Sequence, residues 1–277
     1  MRSKLPAVLL GALLLVTACG TQPAPTATDR EVPVDSSCDT PPVGEAADPK
    51  DGVRITGVSS VAPHCAHFEV TNSGKETADY TVTFAFLTTS GEAVVNPSQT
   101  VPGVKPGRTV KDTVTTDDAR GVQFRVKIIK VRSIPAAEAP SKGGACPRSG
   151  VRLYADEDAE AAMGVRVLGI HWENCGTRTV SVNGQPRLQL LDESHRPVND
   201  IEITNDGKAQ PLVLKRGERA TATLTWRNTL EAGLTNVNSP YARVWAKRGA
   251  APVMLTPEFD LGSTGKLAVS PWKKDQP

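Results

Sequence analysis

Short apolar stretches that alternate at every second residue, broken at close intervals by turn-forming residues, are what most restricts this chain. Successive side chains of a strand point to opposite faces, so this alternation marks strands with one face buried. Tyr80, Val82, Phe84 and Phe86 fall on one face, with Thr81 and Thr83 on the other. Ala220, Ala222, Leu224 and Trp226 repeat the pattern against Thr221, Thr223 and Thr225. No long segment carries the 3.6-residue period of an amphipathic helix, and one helical turn at residues 157–163 is the most expected. The chain is therefore expected to be all-β.

Residues 53–133 hold six or seven such stretches: 53–61, 65–71, 80–86, 92–95, 109–114 and 122–132 are the clearest. Asn72-Ser73-Gly74, Ser90-Gly91 and Lys105-Pro106-Gly107 separate them as turns. This density predicts an immunoglobulin-like β-sandwich. In the last strand Phe124, Val126 and Ile128 share a face, after which Ile129 and Val131 change phase, so a bulge is expected near Ile128. Its Arg125, Lys127, Lys130 and Arg132 are read as a solvated face or as charges guarding an edge. Residues 134–145, rich in Pro, Ala and Gly, read as a linker, and residues 146–277 as a second sandwich. Strands are expected there at 163–172, 177–182, 187–191, 219–228 and 241–247.

The first residues have a different logic. Arg2 and Lys4 precede an apolar run over residues 5–16, too short to span a hydrocarbon core as a helix. Val16-Thr17-Ala18-Cys19 follows and resembles the bacterial lipobox. The resemblance implies cleavage after residue 18 and a diacylglyceryl group on the Cys19 thiol. Two acyl chains suffice for stable anchoring where one does not. Residues 19–52, rich in Pro, Thr and Ala, are expected to be a disordered tether. Once Arg2 and Lys4 leave with the signal peptide, Lys plus Arg equals Asp plus Glu, so no basic footprint for nucleic acid remains.

With Cys19 lipidated, Cys38, Cys65, Cys146 and Cys175 remain, an even number that reads as disulfides in an exported protein. Three pairings are possible. The local one, Cys38–Cys65 with Cys146–Cys175, is preferred, one bond for each sandwich.

The second half carries Ala145-Cys146-Pro147, then Trp172-Glu173-Asn174-Cys175-Gly176, a Gly184-Gln185-Pro186 turn and Leu190-Leu191-Asp192. Lys215-Arg216-Gly217 then precedes the alternating strand that closes on Trp226. In this order the motifs resemble the actinobacterial domain-of-unknown-function family 4232, over residues 146–272. The resemblance implies a secreted β-sandwich with a Cys146–Cys175 bond, common in lipoproteins, and carries over no activity.

Motifs for chemistry are sparse. His64, Cys65 and His67 superficially resemble metal ligands, but adjacent strand residues diverge and Cys65 is wanted for a disulfide. Asp156, Glu157, Asp158 and Glu160 lack calcium-loop spacing and read as a solvated loop. Ser263-x-x-Lys266 lacks the helix and companion motifs of penicillin-recognising enzymes. No catalytic, cofactor-binding or metal site is expected. Loops at sandwich ends are the natural binding elements, and residues 199–211 and 228–240 are the longest. The expectation is a non-enzymatic lipoprotein on the extracytoplasmic face of the cell membrane, meeting an envelope protein or a wall polymer. The alternatives are an accessory or sensor subunit of an envelope complex, or an enzyme without a local motif.

Overall fold

The computed structural model describes residues 38–59, 64–116 and 125–276. The expected signal peptide, Cys19 and the start of the tether lie outside the described residues, as do Val61, Val122 and Phe124. The chain is all-β: its described helices are two short 3-10 turns, and none is long and apolar enough to cross a membrane.

The N-terminal strands are β1 (Val53–Ser59), β2 (His64–Thr71), β3 (Ala78–Leu87), β4 (Ala93–Val95), β5 (Ser98–Val104), β6 (Thr109–Thr116) and β7 (Arg125–Pro135). One sheet runs β1-β2-β6. In the other, β4 and β5 pair with successive parts of β3, and β7 pairs along its whole length. The inward faces enclose one core, in which Phe68 and Phe84 meet at 4.9 Å between ring centres and Tyr80, Val82 and Phe86 are buried. The expected bulge is present. Thr83 pairs with Lys130 but Phe84 with Ile128, which leaves Ile129 as the extra residue. Lys50 Nζ donates to its exposed carbonyl at 2.6 Å.

That contact corrects the extent of the tether. Residues 38–52 are built onto this sandwich through the Cys38–Cys65 disulfide, a Thr40–Val58 bridge and a 3-10 turn at Gly44–Ala47. Pro and Ala enrichment concealed a segment whose order comes from a covalent bond and from close approach. At Gly57 a β-carbon would stand 1.9 Å from the Cys38 carbonyl oxygen, so glycine is what lets the chain cross β1.

The C-terminal strands begin with β8 (Val151–Ala155), β9 (Glu160–Ala162), β10 (Val165–Asn174), β11 (Val180–Val182) and β12 (Arg187–Leu191). They continue with β13 (Glu202–Asn205), β14 (Leu212–Leu214), β15 (Arg219–Arg227), β16 (Asn238–Ser239) and β17 (Tyr241–Trp245). The last four are β18 (Val253–Leu255), β19 (Phe259–Asp260), β20 (Lys266–Val269) and β21 (Lys273–Lys274). The large sheet runs β13-β20-β15-β10-β8, with β21 on β15 and β9 on β10, and β12-β17-β18 forms a smaller sheet. Trp172, Leu224, Trp226 and Trp272 lie in the shared core. Cys146 and Cys175 are bonded, with Cα atoms 5.6 Å apart. The helical turn expected at 157–163 is absent. Strand β9 and a tight turn with Met163 at φ 49° stand there instead, because β9 finds a ladder partner in β10.

One side-chain staple recurs in both sandwiches. The Asn72 amide donates to the carbonyls of Glu76 at 2.8 Å and Val104 at 2.7 Å, and its oxygen accepts Gly74 N–H. Asn174 does the same with Arg178, Leu214 and Gly176. Backbone bonds from Gly107 to Asn72 and from Gly217 to Asn174 complete the match. No sequence repeat announces this shared construction.

The expected linker, residues 134–145, is also built in. β7 runs through to Pro135 and is followed by a 3-10 turn at Ala136–Glu138. Ile134 packs on Leu191, Tyr241 and Met254, and Arg243 binds Glu138 at 2.8 Å. The expectation of a solvated basic face fails at Arg132. Its guanidinium donates to both Glu258 oxygens at 2.6 and 2.8 Å and to Glu193 at 3.0 Å, and it lies 5.6 Å from the Tyr241 ring centre. Only 13% of this side chain is exposed. Lys130 reaches the same Glu258 at 3.5 Å.

Candidate functional site

At the end of the second sandwich where β15 stops and β10 starts, four connections are laced together. Asn228 N–H donates to the Gly164 carbonyl, joining the segment after β15 to the β9–β10 turn. Ser263 N–H donates to the Thr229 carbonyl, and Glu231 N–H to Ser263 Oγ. Val237 and residues 261 and 262 exchange two backbone bonds of 2.8 Å. Glu202 N–H donates to the Gly265 carbonyl. Beneath them Asp260 accepts the Trp226 indole N–H and the Asn228 amide, both at 3.1 Å. At Gly262, with φ 60°, a β-carbon would lie 2.3 Å from the Thr229 carbonyl oxygen, so this crossing requires glycine.

The two loops singled out from the sequence thus meet at one place. Residues 199–211 are less of a loop than expected, since they contain β13, which pairs parallel to β20. Thirteen residues of glycine-broken chain gave no strand signal; the ladder partner supplies it.

The end presents apolar side chains on a fixed backbone. Met163 is 98% exposed, Leu230 60%, Leu234 56% and Ile203 40%. These are four of the seven large apolar side chains exposed among the described residues. Scattered exposed apolar residues are ordinary, but a grouping at a laced loop end is how contact surfaces are built. Fully burying one such side chain contributes about 1.5–3 kcal/mol.

The sequence-level candidates for chemistry fall apart in space. Cys65 is bonded to Cys38, and His67 Nδ1 meets Thr113 Oγ1 across the β2–β6 ladder at 2.7 Å. Among the described residues no group of three His, Cys, Asp or Glu is gathered for a metal. In the acidic run, Asp156 accepts Gly169 N–H, Glu157 pairs with Lys142, and Glu160 lies in β9. Ser263 is engaged with Thr229 and Glu231, while Lys266 pairs with Glu202 at 3.2 Å.

One polar constellation was missed, because its members are scattered along the chain. His171 lies between Asp156, at 2.8 Å from Nε2, and Thr221, at 3.0 Å from Nδ1. The Thr221 hydroxyl donates to Asp275 Oδ1 at 2.7 Å, and Arg219 holds the other Asp275 oxygen. Burial pushes the Asp275 carboxyl up, but the hydrogen bonds from Thr221 and Arg219 outweigh it and hold the group below the usual range. Asp275 and the Tyr154 hydroxyl in turn raise the Arg219 guanidinium. With its proton committed to a carboxylate, Thr221 is no primed nucleophile. The cluster instead ties the C-terminal strand β21 to β15.

Residues 146–273, which hold this site, match the model of the family described as Domain of unknown function (DUF4232). No characterised protein matches the chain.

Proposed function

We propose that the chain is a lipoprotein anchored through Cys19 to the extracytoplasmic face of the cell membrane. Its two sandwiches, of immunoglobulin-like plan, form a non-enzymatic interaction module. The loop end of the second sandwich is the surface that meets an envelope protein. One observation carries this reading: Met163, Leu230 and Leu234 are exposed on loops whose backbones are cross-bonded, so little ordering entropy opposes their burial by a partner. The anchor rests on Arg2, Lys4, the apolar run of residues 5–16 and the lipobox-like residues before Cys19.

The test is crosslinking in intact cells with wild type and with a Met163→Asp, Leu230→Asp, Leu234→Asp variant. These side chains are exposed, so the variant should keep the wild-type melting temperature and lose the captured protein. Undiminished capture by the variant refutes the assignment of this surface. For the anchor, Cys19→Ala should move the protein from the membrane to the soluble fraction; continued sedimentation with membranes refutes it.

A further inference from the structure

Apart from the loop end, the segment joining the sandwiches and the turn at residues 246–253 enclose a cavity of about 410 Å³. That is within the range of small-molecule sites. Its walls are mainly aliphatic, with Val151, Leu153, Ala250 and Val253 among them, and Trp172 forms part of them. The cavity exists because the joining segment is laid along β8, where Ser141 N–H donates to the Leu153 carbonyl at 3.3 Å.

Ser141, Ser149 and Lys247 break the apolar lining, and Lys247 is the one charged side chain in it. Lys247 is exposed, lies 5.8 Å from the Trp172 ring centre and makes no ion pair among the described residues. Its flexible chain is the movable part of the wall over that ring.

We propose that this cavity binds a small aliphatic carboxylate. The apolar body fills the space beside Leu153 and Val253, and the carboxylate pairs with the Lys247 ammonium. The ligand must bring negative charge because the one charged side chain of the lining is an ammonium with no carboxylate partner among the described residues. It must be small because the volume is.

Calorimetric titration of the secreted chain carrying Cys19→Ala tests this, with hexanoate, octanoate, decanoate and decanol as probes, each below its micellar concentration. Affinity for the acids should rise about fourfold for each added CH₂ until the cavity is full. Decanol should bind at least about tenfold more weakly than decanoate. Lys247→Met, which keeps the apolar stem, should abolish that difference without altering the melting temperature, and Ala250→Trp should block all the probes. Absence of decanoate binding, equal binding of decanoate and decanol to wild type, or an unchanged acid preference in Lys247→Met would each overturn the proposal.

Discussion

Replacing Arg132 with methionine keeps a comparable apolar stem and removes the guanidinium that joins the two sandwiches. The side chain is 13% exposed, and Glu258, its two-point partner, is 36% exposed. The pair therefore ranks between exposed ion pairs, at about 0.2–1 kcal/mol, and buried ones, whose breakage costs about 3–5 kcal/mol. A value of about 2 kcal/mol suits that position, and the Tyr241 ring 5.6 Å away adds about 0.5–1 kcal/mol. Calorimetry should show one cooperative transition for wild type. Arg132→Met should lower the melting temperature by at least about 5 °C and separate the unfolding of the two sandwiches. A cycle with Glu258→Gln isolates the pair, whose coupling should fall only modestly with salt because Arg132 is shielded. A wild-type melting profile for Arg132→Met, with additive effects in the cycle, would refute the idea that this guanidinium couples the sandwiches.

Removing the second disulfide by Cys146→Ala with Cys175→Ala opens a loop of sequence separation 29 and should cost about 3.5 kcal/mol, measured by urea unfolding. Asn72→Ala and Asn174→Ala each strip donors from two backbone carbonyls and should each cost about 2–3 kcal/mol; a harmless Asn72→Ala would show that the staple matters in one sandwich alone. Asp275 sits below its ordinary carboxyl value, so its contribution is present above the unfolded-state value and is lost as pH falls through the folded one. Asp275→Asn should therefore be less stable than wild type near neutral pH. The difference should shrink as pH falls through the acid range, as read by thermal melts.

The candidate surface was partly legible. Residues 228–240 stood out because Leu230, Leu234 and Val237 lie in a stretch without strand alternation. Met163 did not, because on paper it opened the strand expected at 163–172, and its exposure depends on the tight turn that β9 imposes. The His171 constellation was invisible because Asp156, Thr221 and Asp275 meet it only after β8, β10, β15 and β21 are laid side by side. The cavity beside Trp172 was hidden for a related reason. One of its walls is a segment whose Pro, Ala and Gly content read as a spacer.

Strand type and facing were properties of the sequence itself, since a two-residue period is local: Tyr80 to Phe86 and Ala220 to Trp226 point as their alternation requires. The phase change after Ile128 likewise placed the bulge, and the short separation between cysteines in each half favoured the pairing that is found. What lies against a strand's outer face is not local. Arg132 and Glu258 are 126 residues apart, and an arginine on a β-strand reads identically whether water or another sandwich covers it. Docking of the two sandwiches decided between these, because it withdrew the charge from solvent and supplied carboxylates to receive it.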